Sequence, residues 1–185
     1  MAFQNKIGLI VEGESDKRTL EKVFSKIRIN AEFRVIPGGF NVRKINVLAS
    51  MLRNSRCKKV IVLKDTECKQ KDEMYEELKD KIRELEEVEI CFVQCSLESW
   101  LLADEKAIEY LISEKTKRSV KVKNFSNPES IPKPKDEIRE IFRKAGVRIS
   151  YIETVHAPEI ASRSDINKWE EKCESFKEMM EKISN

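Results

Sequence analysis

Histidine is almost missing from this chain: His156 is the only one among 185 residues. That scarcity excludes two-histidine mechanisms and most zinc sites. Glycine and proline number five each, too few for a collagenous or low-complexity chain. No apolar run approaches the roughly 18 residues that cross a membrane as a helix, so a membrane protein of that kind is excluded. Met1–Lys6 lacks a basic region followed by an apolar stretch, and no secretory leader is expected. The five cysteines, Cys57, Cys68, Cys91, Cys95 and Cys173, are odd in number and irregular in spacing. They favour reduced thiols in a cytoplasmic protein over a disulfide scaffold. No phosphate-binding loop of the Gly-x-x-x-x-Gly-Lys type occurs, so an ATPase would have to be a separate partner.

Charge, by contrast, is plentiful. Asp, Glu, Lys and Arg make up 37% of the chain, yet the net charge is only +3. Its distribution is uneven. The first 112 residues balance at 20 basic and 20 acidic side chains, residues 113–150 hold 11 and 5, and residues 151–185 hold 5 and 8. The surplus peaks at Lys115, Lys117, Arg118, Lys121 and Lys123. Such a run suits the neutralisation of phosphates along DNA or RNA; it equally suits the solvated loop of a lysine-rich protein.

Hydrophobic periodicity divides the chain at about residue 112. Before it, strand and helix patterns alternate. Lys6–Val11, Ala31–Ile36, Lys59–Leu63 and Val88–Val93 read as buried strands. Helices capped by Ser15, Asn41 and Ser96, and a long charged one carrying Met74, Leu78 and Ile82, fill the gaps. This alternation predicts an α/β domain over residues 1–112, a parallel sheet of about four strands with helices on both faces. Residues 113–185 read as a basic, proline-bearing loop followed by a helical extension packed on the domain. Trp100 and Trp169 fall on apolar helix faces, where core packing outweighs base stacking as their role.

In a parallel sheet, ligands bind beyond the carboxyl ends of the strands. Three of those ends are acidic: Glu12-Gly13-Glu14-Ser15-Asp16, Asp65-Thr66-Glu67, and Leu97-Glu98-Ser99. Taken singly, each is as well explained by a turn, a helix cap or a carboxylate at a helix N-terminus. Taken together they place Glu12, Asp16, Asp65, Glu67 and Glu98 at one sheet edge. That many carboxylates stay ionised side by side only around a cation. Oxygen donors without imidazole or thiolate favour Mg²⁺ or Mn²⁺, and the chemistry they support is metal-assisted phosphoryl transfer or phosphodiester hydrolysis.

The stretches IGLIVEGESDKRTLEKVF and VIVLKDTEC resemble the TOPRIM domain, which carries Glu-Gly after its first strand and Asp-x-Asp after its third. The Glu-Gly-x-Ser-Asp form is most similar to nucleases named for overcoming lysogenisation defect. SLESWLLAD, and the tail from Tyr151 through His156 to Ala161, resemble small stand-alone TOPRIM-like proteins. The resemblance implies a Rossmann-like TOPRIM fold and a Mg²⁺-dependent nuclease or phosphotransferase. In that activity Glu12, Asp65 and Glu67 would be catalytic, with Asp16 and Glu98 completing the metal sites. It also implies a nucleic-acid partner and is compatible with a homodimer or a partner ATPase. Two departures favour an alternative, a weakly active or inactive nucleic-acid-binding or adaptor protein. Glu67 replaces the second aspartate, and Glu153 stands near a position where the small proteins often have lysine. Lys64, Arg163 or the basic loop would then supply the missing cation. His156 is a further accessory candidate, with helix capping as its other reading.

Overall fold

The computed structural model describes residues 5–36, 38–146 and 150–185. Pro37 and most of Met1–Lys6 lie outside the described residues. Four strands, β1 (Ile7–Val11), β2 (Ala31–Val35), β3 (Lys59–Asp65) and β4 (Glu89–Val93), form one all-parallel sheet in the order β2-β1-β3-β4. Every residue of β1 is buried, as a central strand covered on both faces requires. Nine α-helices are described: α1 (Glu14–Ile27), α2 (Val42–Asn54), α3 (Lys71–Arg83), α4 (Glu98–Leu101), α5 (Glu105–Thr116), α6 (Pro134–Lys144), α7 (Glu153–Arg163), α8 (Ile166–Lys172) and α9 (Glu174–Ser184).

Side chains alternate across the pleat and so define two cores. Leu9, Val11, Ile61, Leu63, Cys91 and Val93 pack under α1 and α4–α9. Ile10, Val60 and Val62 meet Ile45, Ala49 and Leu52 of α2, while Phe92 meets Met74 and Leu78 of α3. The approach of α2 is close. A Cβ at Gly8 would lie 3.0 Å from Leu52 Cδ1, so glycine there lets the helix rest on the β1 backbone. On the opposite face, Trp100, Trp169 and Phe176 pack edge to face in the core. This is the α/β sheet, with helices on both faces and C-terminal helices, that the periodicity predicts.

Several boundaries differ from those expectations, for local reasons. The single helix expected after Ser96 is two, because Asp104 accepts a hydrogen bond from the Lys106 amide and starts α5 afresh. The C-terminal helical run is likewise divided, into α8 and α9. Its chain is extended at Cys173, and the freed amides of Glu174 and Ser175 donate to the Glu129 carboxylate. Pro158 lies inside α7. The basic segment is no free arm: the Val122 amide donates to Glu109 Oε1 at 2.9 Å, and the segment lines a groove with α6. The cysteines differ most. Cys68 and Cys95 form a disulfide across 27 residues of sequence, while Cys57, Cys91 and Cys173 are free and buried. The pair follows β3 and β4, two neighbouring strands, and linear spacing does not display that adjacency.

Candidate functional site

From β1 the chain first crosses to β2 on one side, and later strands build outward from β3 on the other. The carboxyl ends of β1 and β3 therefore flank the point where the winding reverses, the usual ligand crevice of an open parallel sheet. The pairing of Ile10 with Val62, continued two residues, sets Glu12 beside Lys64. Their contact is Lys64 Nζ to Glu12 Oε1 at 2.7 Å. Oε1 is thus buried beside a cation, with no hydrogen bond of its own. Lys64 itself is buried, held there as the penultimate residue of β3.

Asp65 is the last residue of β3 and points to the other face. Burial raises its pKa well above the usual range, and the charges of Asp16, Glu12 and Glu98 raise it further. Asp16 sits in the first turn of α1, where it accepts a hydrogen bond from the Gly13 amide at 3.0 Å. That bond and the helix terminus favour its charged form, yet its pKa is pushed up to about 6. Burial is the main cause, followed by the negative charge of Glu98, with Glu12 and Glu153 adding to it. Glu98 opens α4 and accepts from Ser96 Oγ at 2.8 Å. Four of the five expected carboxylates thus come together at one end of the sheet, near enough for Glu12 and Glu98 to raise the pKa values of Asp16 and Asp65.

Glu67 does not join them. Its backbone is left-handed, with φ 53°, and its side chain is 75% exposed, with Lys64 Nζ at 3.9 Å. Among the described residues, no three His, Cys, Asp or Glu side chains are gathered as a metal ligand set. The donor chemistry nevertheless fits a hard divalent cation: all four clustered groups are carboxylates, and two of them resist ionisation in the absence of a counter-charge.

The structure adds Tyr151, Lys135 and Arg139, to which the sequence assigned no role at the site, and places Glu153 among them. Tyr151 is 5% exposed, and its hydroxyl has no hydrogen-bond partner. Burial pushes its pKa far up, and the charges of Glu98, Glu153 and Asp16 add to this, so the phenol stays a neutral donor facing the carboxylates. Glu153, at the start of α7, pairs with Lys135 Nζ at 2.5 Å and Arg139 Nη2 at 3.7 Å. Two cations from α6 thereby stand at the edge of the cluster. An orphaned polar atom beside a charged group is the signal that would identify such residues, and it exists only in three dimensions.

The remaining candidates lie elsewhere. Lys115 pairs with Glu159 at 2.9 Å, and Lys123 pairs with Glu137 at 2.9 Å and lies over the Phe125 ring. Lys117, Arg118 and Lys121 show no ion pair within the described residues. Arg163 binds Glu114 Oε2 at 2.6 Å and the Glu159 carbonyl. His156 is buried, and its Nδ1 accepts from the Ile152 amide at 2.8 Å, which caps α7. Burial, followed by the charge of Lys115, lowers its pKa.

Fold and site together define a parallel α/β protein with a cluster of carboxylates at its topological switch point. The chain belongs to the family described as Domain of unknown function (DUF4276), whose model matches residues 11–184. No curated protein and no solved structure matches it.

Proposed function

We propose that this protein is a Mg²⁺-dependent (or Mn²⁺-dependent) phosphodiesterase of the TOPRIM type acting on DNA or RNA. One observation carries the reading: Asp16 and Asp65 have raised pKa values, first through burial and then through the negative charges gathered around them, Glu98 and Glu12 on Asp16 and Asp16, Glu12 and Glu98 on Asp65. Repulsion of this kind is relieved by a divalent cation. Asp65, Asp16 and Glu98 would hold the ion, with Glu67 and Glu12 as further donors. A bound divalent cation supplies polarisation of a phosphoryl oxygen and an acidified water. Glu12 accepts the proton of the attacking water, and Lys64, 2.7 Å from it, holds its carboxylate in place. Tyr151 donates its phenolic hydrogen to an oxygen of the bound phosphate. Lys135 and Arg139 stand in for the lysine that Glu153 displaces. Lys117, Arg118 and Lys121 extend a basic track for the backbone.

The test is cleavage of supercoiled plasmid and of labelled single-stranded RNA with millimolar Mg²⁺ or Mn²⁺, beside Glu12→Gln. Metal-dependent cleavage that falls at least about 10²-fold in the variant is expected, the order seen when a proton-transfer group is removed. Cleavage that survives in Glu12→Gln at full rate, or in excess chelator, removes the assignment. A second reading, a nucleic-acid-binding or adaptor protein without turnover, is favoured by the outward position of Glu67. It predicts binding of the same substrates with no product under any metal.

A further inference from the structure

The Cys68–Cys95 disulfide joins the two strand ends that carry the crevice. Cys68 lies three residues after Asp65 and one after Glu67, and Cys95 lies three before Glu98. Their Cα atoms are 3.9 Å apart. Other bonds tie the same turns: the Glu67 amide donates to the Cys95 carbonyl at 3.0 Å, and the Cys95 amide donates to Thr66 Oγ1 at 2.9 Å. Glu67, Cys68 and Cys95 all adopt left-handed backbone, at φ 53°, 65° and 61°. Such conformations are uncommon for side chains of these kinds and persist where surrounding structure imposes them. Here they cluster around the disulfide, and the carboxylate they turn away from the crevice is that of Glu67.

The surroundings also suit the reduced pair. The Ile131 carbonyl oxygen lies 3.4 Å from Cys95 Sγ, and that of Pro132 lies 2.9 Å from Cys68 Sγ. A disulfide has no hydrogen to give them, whereas two thiols would each find an acceptor in place. Cys68 is half-buried, within reach of a small reductant, while its partner Cys95 and the three free cysteines are buried.

We infer that Cys68–Cys95 is a redox switch on the metal site: the disulfide holds Glu67 outside the carboxylate cluster, and its reduction frees the Asp65–Lys69 turn so that Glu67 completes the ligand set. The inference rests on the metal-binding reading given above. The switching step is thiol–disulfide exchange with a dithiol reductant. The reductant's thiolate attacks one sulfur, and the Sγ–Sγ bond breaks. Two electrons and two protons pass to Cys68 and Cys95, and the reductant leaves as its own disulfide.

The experiment measures Mn²⁺ affinity of the full chain, from the signal of free Mn²⁺, after oxidation with diamide and after reduction with dithiothreitol. Alkylation in denaturant counts thiols in each sample. Three thiols are expected in the oxidised chain, matching its three free cysteines, and five in the reduced chain. Reduction should tighten Mn²⁺ binding about tenfold, as one added carboxylate ligand does in oxygen-donor sites. Glu67→Gln should cancel that gain. The Cys68→Ser/Cys95→Ser chain should bind like the reduced protein under both treatments. Five thiols after oxidation would show that the bond does not form and overturn the switch. Equal affinities in the two redox states would overturn it while leaving the metal site standing. Binding in neither state would remove the switch and the metal reading together.

Discussion

Two groups of acids, one buried and one half-buried, behave oppositely. Asp104 and Glu105, at the start of α5, face Lys168 and Lys172 of α8. Burial acts to raise the pKa of Asp104. Hydrogen bonds from Lys168 Nζ at 2.7 Å and from the Asp165 amide at 2.8 Å outweigh it and hold the group below its ordinary value. Asp16 and Asp65 are half-buried and also lose solvation, but the charges that act on them are those of Glu12 and Glu98. One cluster brings its own cations and acts as a clamp between α5 and α8. The other is left with surplus negative charge at the switch point of the sheet. Loss of solvation is common to both, so what separates a structural carboxylate from a functional one is whether the fold supplies its partner.

The comparison breaks most visibly at Asp104. Asp104→Ala strands Lys168 beside a half-empty ion pair and should cost about 3–5 kcal/mol of stability, as loss of one partner of a buried pair does. Urea unfolding at neutral pH reads this directly, and a loss below about 1 kcal/mol would show the clamp to be ornamental.

Asp16 should respond to pH with the opposite sign. It keeps its proton up to about pH 6 in the folded chain, whereas an unfolded aspartate releases it near 3.9. Between those values the folded state binds more protons. Its contribution to stability therefore falls as pH rises through that window and stays low above it, by on the order of 2 kcal/mol. The difference in stability between wild type and Asp16→Asn, followed from about pH 4 to pH 7, should shrink and then reverse in favour of the variant. A difference that does not vary with pH contradicts the raised pKa.

At Asp65 the expected gain is smaller. Asp65→Asn removes a repelled charge and should stabilise the metal-free protein by about 1 kcal/mol, raising Tm by roughly 2–4 °C. The further rise that Mg²⁺ gives wild type should vanish in the variant. If Mg²⁺ still raises Tm in Asp65→Asn, the ion binds elsewhere.

The smallest effect belongs to the exposed basic groove. Lys117→Ala, Arg118→Ala and Lys121→Ala combined should shift stability by no more than about 0.5 kcal/mol. If the groove tracks a phosphate backbone, the slope of log affinity against log salt should flatten by about 2 to 3. Fluorescence anisotropy with a short duplex and a single strand at several salt concentrations decides it, and an unchanged slope assigns the run to solvent.

The sheet was legible because its strands announce themselves: KVIVL and IGLIV are β-branched runs ended by charge or glycine, and the order of acidic strand ends pointed to one edge. The helix breaks at Asp104 and Cys173 were hidden because the apolar period runs straight through them, and only capping hydrogen bonds interrupt it. Glu67 looked equivalent to Asp65 from sequence, yet a left-handed turn separates their directions. Tyr151, Lys135 and Arg139 reach the crevice from α6 and the entry to α7, more than 65 residues beyond Asp65. The Cys68–Cys95 bond likewise depends on which strands are neighbours, and spacing does not encode that.

The packing of α7 along α1 bears on how a growing chain matures. Synthesis runs from the amino terminus, so α1 with its Asp16 leaves the ribosome long before residues 153–163 exist to cover it. Until then the half-made crevice lacks Tyr151 and Glu153 and stands open to water, where Asp16 titrates as an ordinary surface acid. Even β1 waits, since one of its two neighbours is β3. A nascent chain stalled after α5 should therefore remain protease-sensitive across α1, and resistance should appear only once α7 has emerged.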